Sequence, residues 1–265
     1  MKNLILSIAV LLATTFTALS QVNKAQSTST IVIIHGAWSS ASDWIHVTED
    51  LVAAGNPVIS INLPGHGSDN TAITGISLKL YIDEVKKAIG DKQNVVLVAH
   101  SFGGIVASQV AEQIAPQIKK IIYIAAYVPK NGESLLSLAQ TDAESHIGKS
   151  LIVDEKAGIA TVRKEGVADV FMADAPAPVA DYVSNNTKPE PLAPLATPVT
   201  LTDGKFGKIN KVFVHSLNDH TIGYSLQQKM VKDAGIQRLY SLPSSHTPFI
   251  MFPHVLAQII ALEAK

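Results

Sequence analysis

Val95-Val96-Leu97-Val98-Ala99-His100-Ser101-Phe102-Gly103-Gly104 is the stretch from which the fold can be read. Its first five residues are apolar and mostly β-branched, the composition of a strand buried on both faces of a parallel sheet. Ile105, Val106, Val110 and Ile114 then recur at helical spacing, and the pattern stops near Pro116. Between strand and helix stands Ser101, with a small residue two positions before it (Ala99) and two after it (Gly103). A strand that turns straight into a helix brings the two backbones very close, so small residues are needed at those places. A serine on such a turn is strained and presents its hydroxyl above the sheet, the arrangement called a nucleophile elbow. The turn also aims the Phe102 N–H, at the helix start, at charge developing on an attacked carbonyl.

The alternation continues outward in both directions. Ile31 to Ile34, Val58 to Ile61, Ile121 to Ala125, Val212 to His215 and Leu239 to Leu242 read as further strands. Helical spacing appears in Trp44, Val47, Leu51 and Val52, closed by Gly55, and in Leu78, Tyr81, Ile82, Val85 and Ile89, with Ser77 as N-cap. Two more helices are predicted around Leu226 to Ala234 and Val255 to Ala264. Strands alternating with helices imply an α/β fold with a mostly parallel sheet of about six strands and helices on both faces. One segment breaks the rhythm. Residues 128–208 show no convincing strand, and six of the thirteen prolines fall between Pro176 and Pro198. A structureless loop of that length is improbable, so the segment is expected to be a largely helical lid, with helices such as Ser134 to Ala139 and Ala157 to Val170. The sheet-and-helix core is then 31–127 together with 209–265.

Composition narrows the functions. Only 16% of residues are charged and the formal net charge is −1, which offers nothing to nucleic acid or to an anionic membrane surface. Lys2 followed by an apolar stretch to Leu19, ending in Ala18-Leu19-Ser20, predicts a signal peptide over residues 1–20 cleaved before Gln21. Thr14, Thr15 and Thr17 weaken that stretch as a permanent membrane anchor. Residues 21–30 read as a polar linker, and the expected location is periplasmic or secreted. The chain has no cysteine, so it uses no disulfide, no thiol nucleophile and no thiolate metal site.

Histidines and acids near strand ends supply the remaining chemistry. Ser245-His246-Thr247-Pro248-Phe249 follows the last strand, and Asp219 lies four residues past His215, which ends another. Both positions fall on the carboxyl edge where the elbow opens. Ser101, Asp219 and His246 occur in the chain order this kind of elbow uses. His66, in Leu63-Pro64-Gly65-His66-Gly67, reads as a turn residue, and His100 is expected to point away from the nucleophile. His35 reads as a structural turn residue, while Asp174 and Asp203 suit surface or capping roles. No His-Glu-x-x-His or other local metal-ligand spacing is present, so no metal is expected in the chemistry.

With these residues placed, the chain resembles the α/β-hydrolase family that holds plant methyl-salicylate esterases, plant hydroxynitrile lyases and bacterial carboxylesterases such as pyrethroid hydrolases. The likeness rests on His35-Gly36-Ala37-Trp38, Leu63-Pro64-Gly65-His66-Gly67, the elbow, Pro189-Glu190-Pro191-Leu192-Ala193-Pro194 and His246-Thr247-Pro248-Phe249 with Pro253. It implies a cofactor-free serine esterase acting on a small-molecule ester, with Ala37 and Phe102 as oxyanion-hole donors and Trp38 and Phe171 as pocket residues. A homodimer is compatible with this reading. The lyases of the family resemble one another in a Thr where this chain has Gly36 and a Lys where it has Thr247, so hydrolysis is favoured over cyanohydrin chemistry. Dehalogenases and epoxide hydrolases of the same fold carry Asp at the elbow, where this chain has Ser101. Lactone and polyester hydrolysis would suit the same triad, and a ligand-binding protein on this scaffold is the non-enzymatic alternative.

Overall fold

A computed structural model describes residues 29–265; the signal-peptide expectation and most of the linker lie outside the described residues. Strands β1 (Ile31–Ile34), β2 (Val58–Ile61), β3 (Val95–His100) and β4 (Ile118–Ile124) alternate with helices α1 (Ile45–Ala53), α2 (Leu78–Ile89) and α3 (Gly103–Gln113). After the lid come strand Asn210–Ser216, helix Tyr224–Asp233, strand Arg238–Leu242 and the closing helices Pro248–Met251 and Pro253–Ala264. These two strands join the first four in one six-stranded sheet, in the order β2, β1, β3, β4, Asn210–Ser216, Arg238–Leu242. Every pairing in it is parallel.

Period-two alternation divides the strand side chains cleanly between two cores. Val32, Ile34, Leu97, Ala99, Ile121, Tyr123 and Phe213 pack with α2, α3 and Tyr224–Asp233 on one face. Ile31, Ile33, Val96, Val98, Ile122, Ile124, Val212 and Val214 pack with Trp44, α1 and the last helix on the other. Each fully buried Ile or Val contributes about 1.5–3 kcal/mol, so the central strands are the best-secured part of the molecule. Ser77 caps α2 as expected, accepting the Leu80 N–H at 3.2 Å. Ser29, expected in the linker, instead belongs to the core: its hydroxyl donates to the Ala264 carbonyl at 2.7 Å.

The 128–208 segment departs from expectation. Alongside helices α4 (Leu135–Ala139), α5 (Ile147–Ser150), α6 (Lys164–Phe171), α7 (Ala177–Asn186) and α8 (Leu192–Ala196) it contains a small sheet. That sheet is antiparallel and runs β5 (Leu151–Asp154), β6 (Ile159–Val162), β7 (Glu190–Pro191). The helix expected over Ala157 to Val170 is therefore half strand, and only its second part is α6. Gly158, at φ +70°, turns the chain between β5 and β6, and the four-residue strands are too short to show a clear period. The strands after the lid are numbered β8 (Asn210–Ser216) and β9 (Arg238–Leu242), and helix Tyr224–Asp233 is α9.

Candidate active site

Ser101 caps β3 with φ +50°, a left-handed conformation that costs a non-glycine residue about 1–3 kcal/mol. The surroundings hold it there. Its carbonyl accepts N–H bonds from Gly104 at 3.0 Å and Tyr127 at 3.1 Å. Close packing leaves no room for side chains behind it: a Cβ on Gly103 would meet the Ile34 carbonyl oxygen at 2.5 Å, and one on Gly104 the Tyr127 carbonyl oxygen at 2.1 Å. This is the close approach that the Ala99/Gly103 pattern implied.

The loop after β1 comes up beside the elbow. A Cβ on Gly36 would lie 2.7 Å from the Cβ of Ser101, so the glycine is what lets this loop reach the nucleophile. Ala37 and Phe102, the expected oxyanion donors, have no acceptor for their N–H groups among the described residues. His35 has the structural role read for it. Its Nε2 accepts the Leu63 N–H at 3.1 Å, and its Nδ1–H donates to the Gly36 carbonyl at 2.8 Å, which fixes a neutral tautomer. Burial, reinforced by the positive His66 nearby, lowers its pKa to about 3 against the opposing pull of the Gly36 carbonyl.

Acid and base meet on the same edge. His246 Nδ1–H donates to Asp219 Oδ2 at 2.8 Å, with both residues buried. The other carboxylate oxygen accepts the N–H groups of Thr221 at 2.7 Å and Ile222 at 2.9 Å, so Asp219 is held by its own turn. Gln227, from α9, adds a donor to Oδ2 at 3.3 Å. A carboxylate fixed in this way sets the imidazole tautomer that leaves Nε2 free as a base. Trp38 and Phe171 border one small cavity with His246, Phe249 and Ile250. Their rings lie 5.8 Å apart, and Phe171 is 6.0 Å from the ring of His246.

Three residues have larger roles than their spacing suggests. His100 does not leave the site: its Nε2–H donates to the His246 carbonyl at 2.8 Å, and its ring packs on His246, Trp44 and Phe249. Burial first, then the closeness of the His246 imidazole, hold its pKa well below the ordinary histidine value, so it braces the base as a neutral ring. Asp174, in the lid, accepts the Ser245 N–H at 2.9 Å and the Ser245 hydroxyl, steadying the loop that carries the base. Asp203 takes no part in the site.

The third is Glu190, fully buried in β7, whose Oε2 accepts both the Trp38 N–H at 2.9 Å and His66 Nε2–H at 2.8 Å. His66 Nδ1 faces the Pro64 carbonyl at 3.2 Å, so both ring nitrogens meet acceptors and both carry protons. Burial lowers the His66 pKa, but the charge and hydrogen bond of Glu190 outweigh it, and the net shift is upward. Trp38 itself stands at φ +56°, and its indole N–H donates to the Ala160 carbonyl at 3.0 Å. The 128–208 segment therefore grips the residue next to Ala37 twice. The sequence signal was a lone acid inside an otherwise apolar proline run, paired with a histidine in a Pro-Gly turn far away in the chain.

An elbow serine, a carboxylate-anchored histidine and two N–H groups with no acceptor among the described residues, all on a parallel sheet, define the scaffold of a serine hydrolase. The chain belongs to the alpha/beta hydrolase family, whose model matches residues 31–259. An esterase of a Nocardioides strain named for carbendazim hydrolysis is 25% identical over 241 residues, 87% of this chain and 97% of that protein. A chloroplastic methylesterase-like protein of Arabidopsis thaliana is 27% identical over 88% of this chain, which spans 63% of that longer relative. An extracellular α/β-hydrolase from a Paenibacillus species superposes with a TM-score of 0.77 at 24% identity, covering 88% of this chain and 98% of that one.

Proposed function

We propose that this protein is a carboxylic ester hydrolase that works through an acyl-enzyme on Ser101. The observation that carries this is the buried 2.8 Å His246–Asp219 contact on the sheet edge where the strained Ser101 emerges. In the first half-reaction His246 removes the hydroxyl proton as Ser101 Oγ attacks the ester carbonyl. The Ala37 and Phe102 N–H groups stabilise the oxyanion, and His246 then protonates the departing alcohol. Water, activated by the same imidazole, attacks the acyl-enzyme and regenerates the serine. The apolar side chains of Trp38, Phe171, Phe249 and Ile250 border the cavity beside His246, and the proposed substrates are small to medium, largely apolar esters. Relatives named as esterases support ester hydrolysis as the reaction. The segment 128–208 acts as the lid, and the mature protein is exported after cleavage near Ser20.

A fluorophosphonate probe and a panel of chromogenic esters test the reading together. The expected result is stoichiometric labelling of Ser101 and turnover of acetate or butyrate esters. A correctly folded protein that is neither labelled nor active would be a binding protein on a hydrolase scaffold. Mandelonitrile should not be cleaved, because Gly36 and Thr247 supply neither the hydroxyl nor the ammonium that cyanide release would use, and Thr247 Oγ is spent on the Phe171 carbonyl at 3.1 Å.

A further inference from the structure

On the outer side of the lid, three ligand-type side chains from three separate segments converge. His146 precedes α5, Asp169 lies in α6, and His220 is the residue directly after Asp219. His146 Nδ1 lies 3.0 Å from Asp169 Oδ2, and His220 Nδ1 lies 2.9 Å from Asp169 Oδ1. His220 Nδ1 is also 3.0 Å from the Asp169 backbone carbonyl oxygen, which adds a fourth donor atom at the same point. The two imidazole rings are tilted at 36° with centroids 4.2 Å apart, and all three residues are partly open to solvent.

We propose that His146, Asp169 and His220 form a binding site for a divalent transition metal of the zinc type, which latches the lid to the loop carrying Asp219. The three ligand atoms lie within 4.8 Å of one another. Ligand atoms about 2.0–2.2 Å from a tetrahedral zinc stand roughly 3.4 Å apart, so small rotations of these half-exposed rings close the set. Without metal, each Nδ1–H donates to the carboxylate; on binding, each neutral ring carries its proton on Nε2 instead, so that Nδ1 presents its lone pair to the ion. Two imidazole nitrogens with one carboxylate suit zinc, cobalt or nickel, whereas calcium and magnesium require oxygen donors throughout. Open solvent on one side leaves room for water as a further ligand.

The position gives the site a consequence. The loop from Asp219 to Gly223 is already tied to the lid: His146 N–H donates to the His220 carbonyl at 2.7 Å, Ser145 Oγ to the Thr221 carbonyl at 2.8 Å, and Thr221 Oγ to the Val170 carbonyl at 2.7 Å. An ion at this junction would fix α6, and with it the pocket residue Phe171, against the acid loop. A scan of local spacing could not find the site, because its members are 23 and 51 residues apart.

The test uses the full chain without a histidine tag, stripped with a chelator and titrated calorimetrically with Zn²⁺ near pH 7.5. One equivalent should bind in a distinct tight step, with a rise in melting temperature, and Co²⁺ should give the visible bands of a low-coordinate nitrogen/oxygen site. His146→Gln and His220→Gln should each lose the step, the bands and the thermal shift while melting normally in chelator. His254→Gln, which removes an exposed His–Asp pair with no third ligand among the described residues, should keep all three. If His146→Gln or His220→Gln fails to fold, Asp169→Asn takes its place. Absence of a tight step in the wild type, or its survival in both histidine variants, overturns the proposal.

Discussion

Replacing Glu190 tests whether the lid sets the oxyanion loop as well as covering it. In Glu190→Gln the amide oxygen can still accept the Trp38 N–H, so the loop keeps its anchor while the charge is lost. His66 would be left as a buried cation facing a neutral group. Stranding a buried charge costs about 3–5 kcal/mol. An imidazole can escape by releasing its proton, which reduces the loss to that of a charge-assisted hydrogen bond, about 1.5–3 kcal/mol. Glu190→Ala removes both contacts and should cost about 3–5 kcal/mol. Because Ala37 and Trp38 are adjacent, it should also lower kcat. The ceiling is the roughly 10²–10³-fold effect of losing a whole oxyanion donor. Glu190→Gln should keep most of the wild-type kcat.

The sign of the pH dependence follows from the upward shift at His66. A group whose folded pKa is raised contributes its full stability below its unfolded pKa, near about 6.5, and loses it as pH rises through the folded value. The stability gap between wild type and Glu190→Gln should therefore be widest near pH 6 and narrow on the alkaline side. Urea unfolding at several pH values, paired with kcat and KM on a chromogenic butyrate, reads both effects. A gap that stays within about 0.5 kcal/mol of zero from pH 5.5 to 9 would refute the ionised-pair argument.

Ser101→Ala should lower kcat by about 10⁴-fold or more with the fold intact, whereas Ser101→Gly should be equally inactive yet melt higher, since relief of the φ +50° strain is worth about 1–3 kcal/mol. Gly36→Ala, whose new Cβ would sit 2.7 Å from Ser101 Cβ and 2.9 Å from His100 Nδ1, should cost more activity than stability, and equal kcat in both proteins would deny the close approach. Asp219→Asn should reduce kcat by about 10³–10⁴ by presenting the wrong imidazole tautomer. Asp203→Asn should be silent, and the reverse ranking would reassign the acid.

Legibility followed the range of the interactions involved. The six core strands and the elbow were readable because the period-two pattern, the helix spacing and the small residues around Ser101 all act within a few positions. Asp219 and His246 were readable because chain order and strand ends place them on one edge before any contact is known. The lid sheet was not, since β5 and β6 carry four residues each and pair only with one another and with β7. Glu190 with His66 escaped for a different reason: its partners are 124 and 152 residues away, and a buried ion pair leaves no periodic trace.

Those distant contacts have one feature in common. Each site loop is held by a different part of the lid: the oxyanion loop by Glu190 and the Ala160 carbonyl, the acid loop by Val170, Ser145 and Asp142, and the base loop by Asp174 and Phe171. The Asp142 carboxylate accepts the Gly223 N–H at 2.7 Å, and the Phe171 carbonyl accepts the Thr247 hydroxyl at 3.1 Å and lies 3.1 Å from the Ser245 Oγ whose proton Asp174 takes. The sheet thus fixes where the loops begin, and the lid fixes where their functional atoms end up. An ordinary flap could swing away and leave the site assembled behind it, but lifting this segment as a unit would unpair buried or half-buried donors on all three loops, at about 1–3 kcal/mol for each buried group left unsatisfied. By contrast, among the described residues α7 sends no polar side chain to these three loops. Among the described residues its polar side chains, such as Ser184 and Asn185, bond back to their own helix, while Val183 borders the cavity beside Trp38.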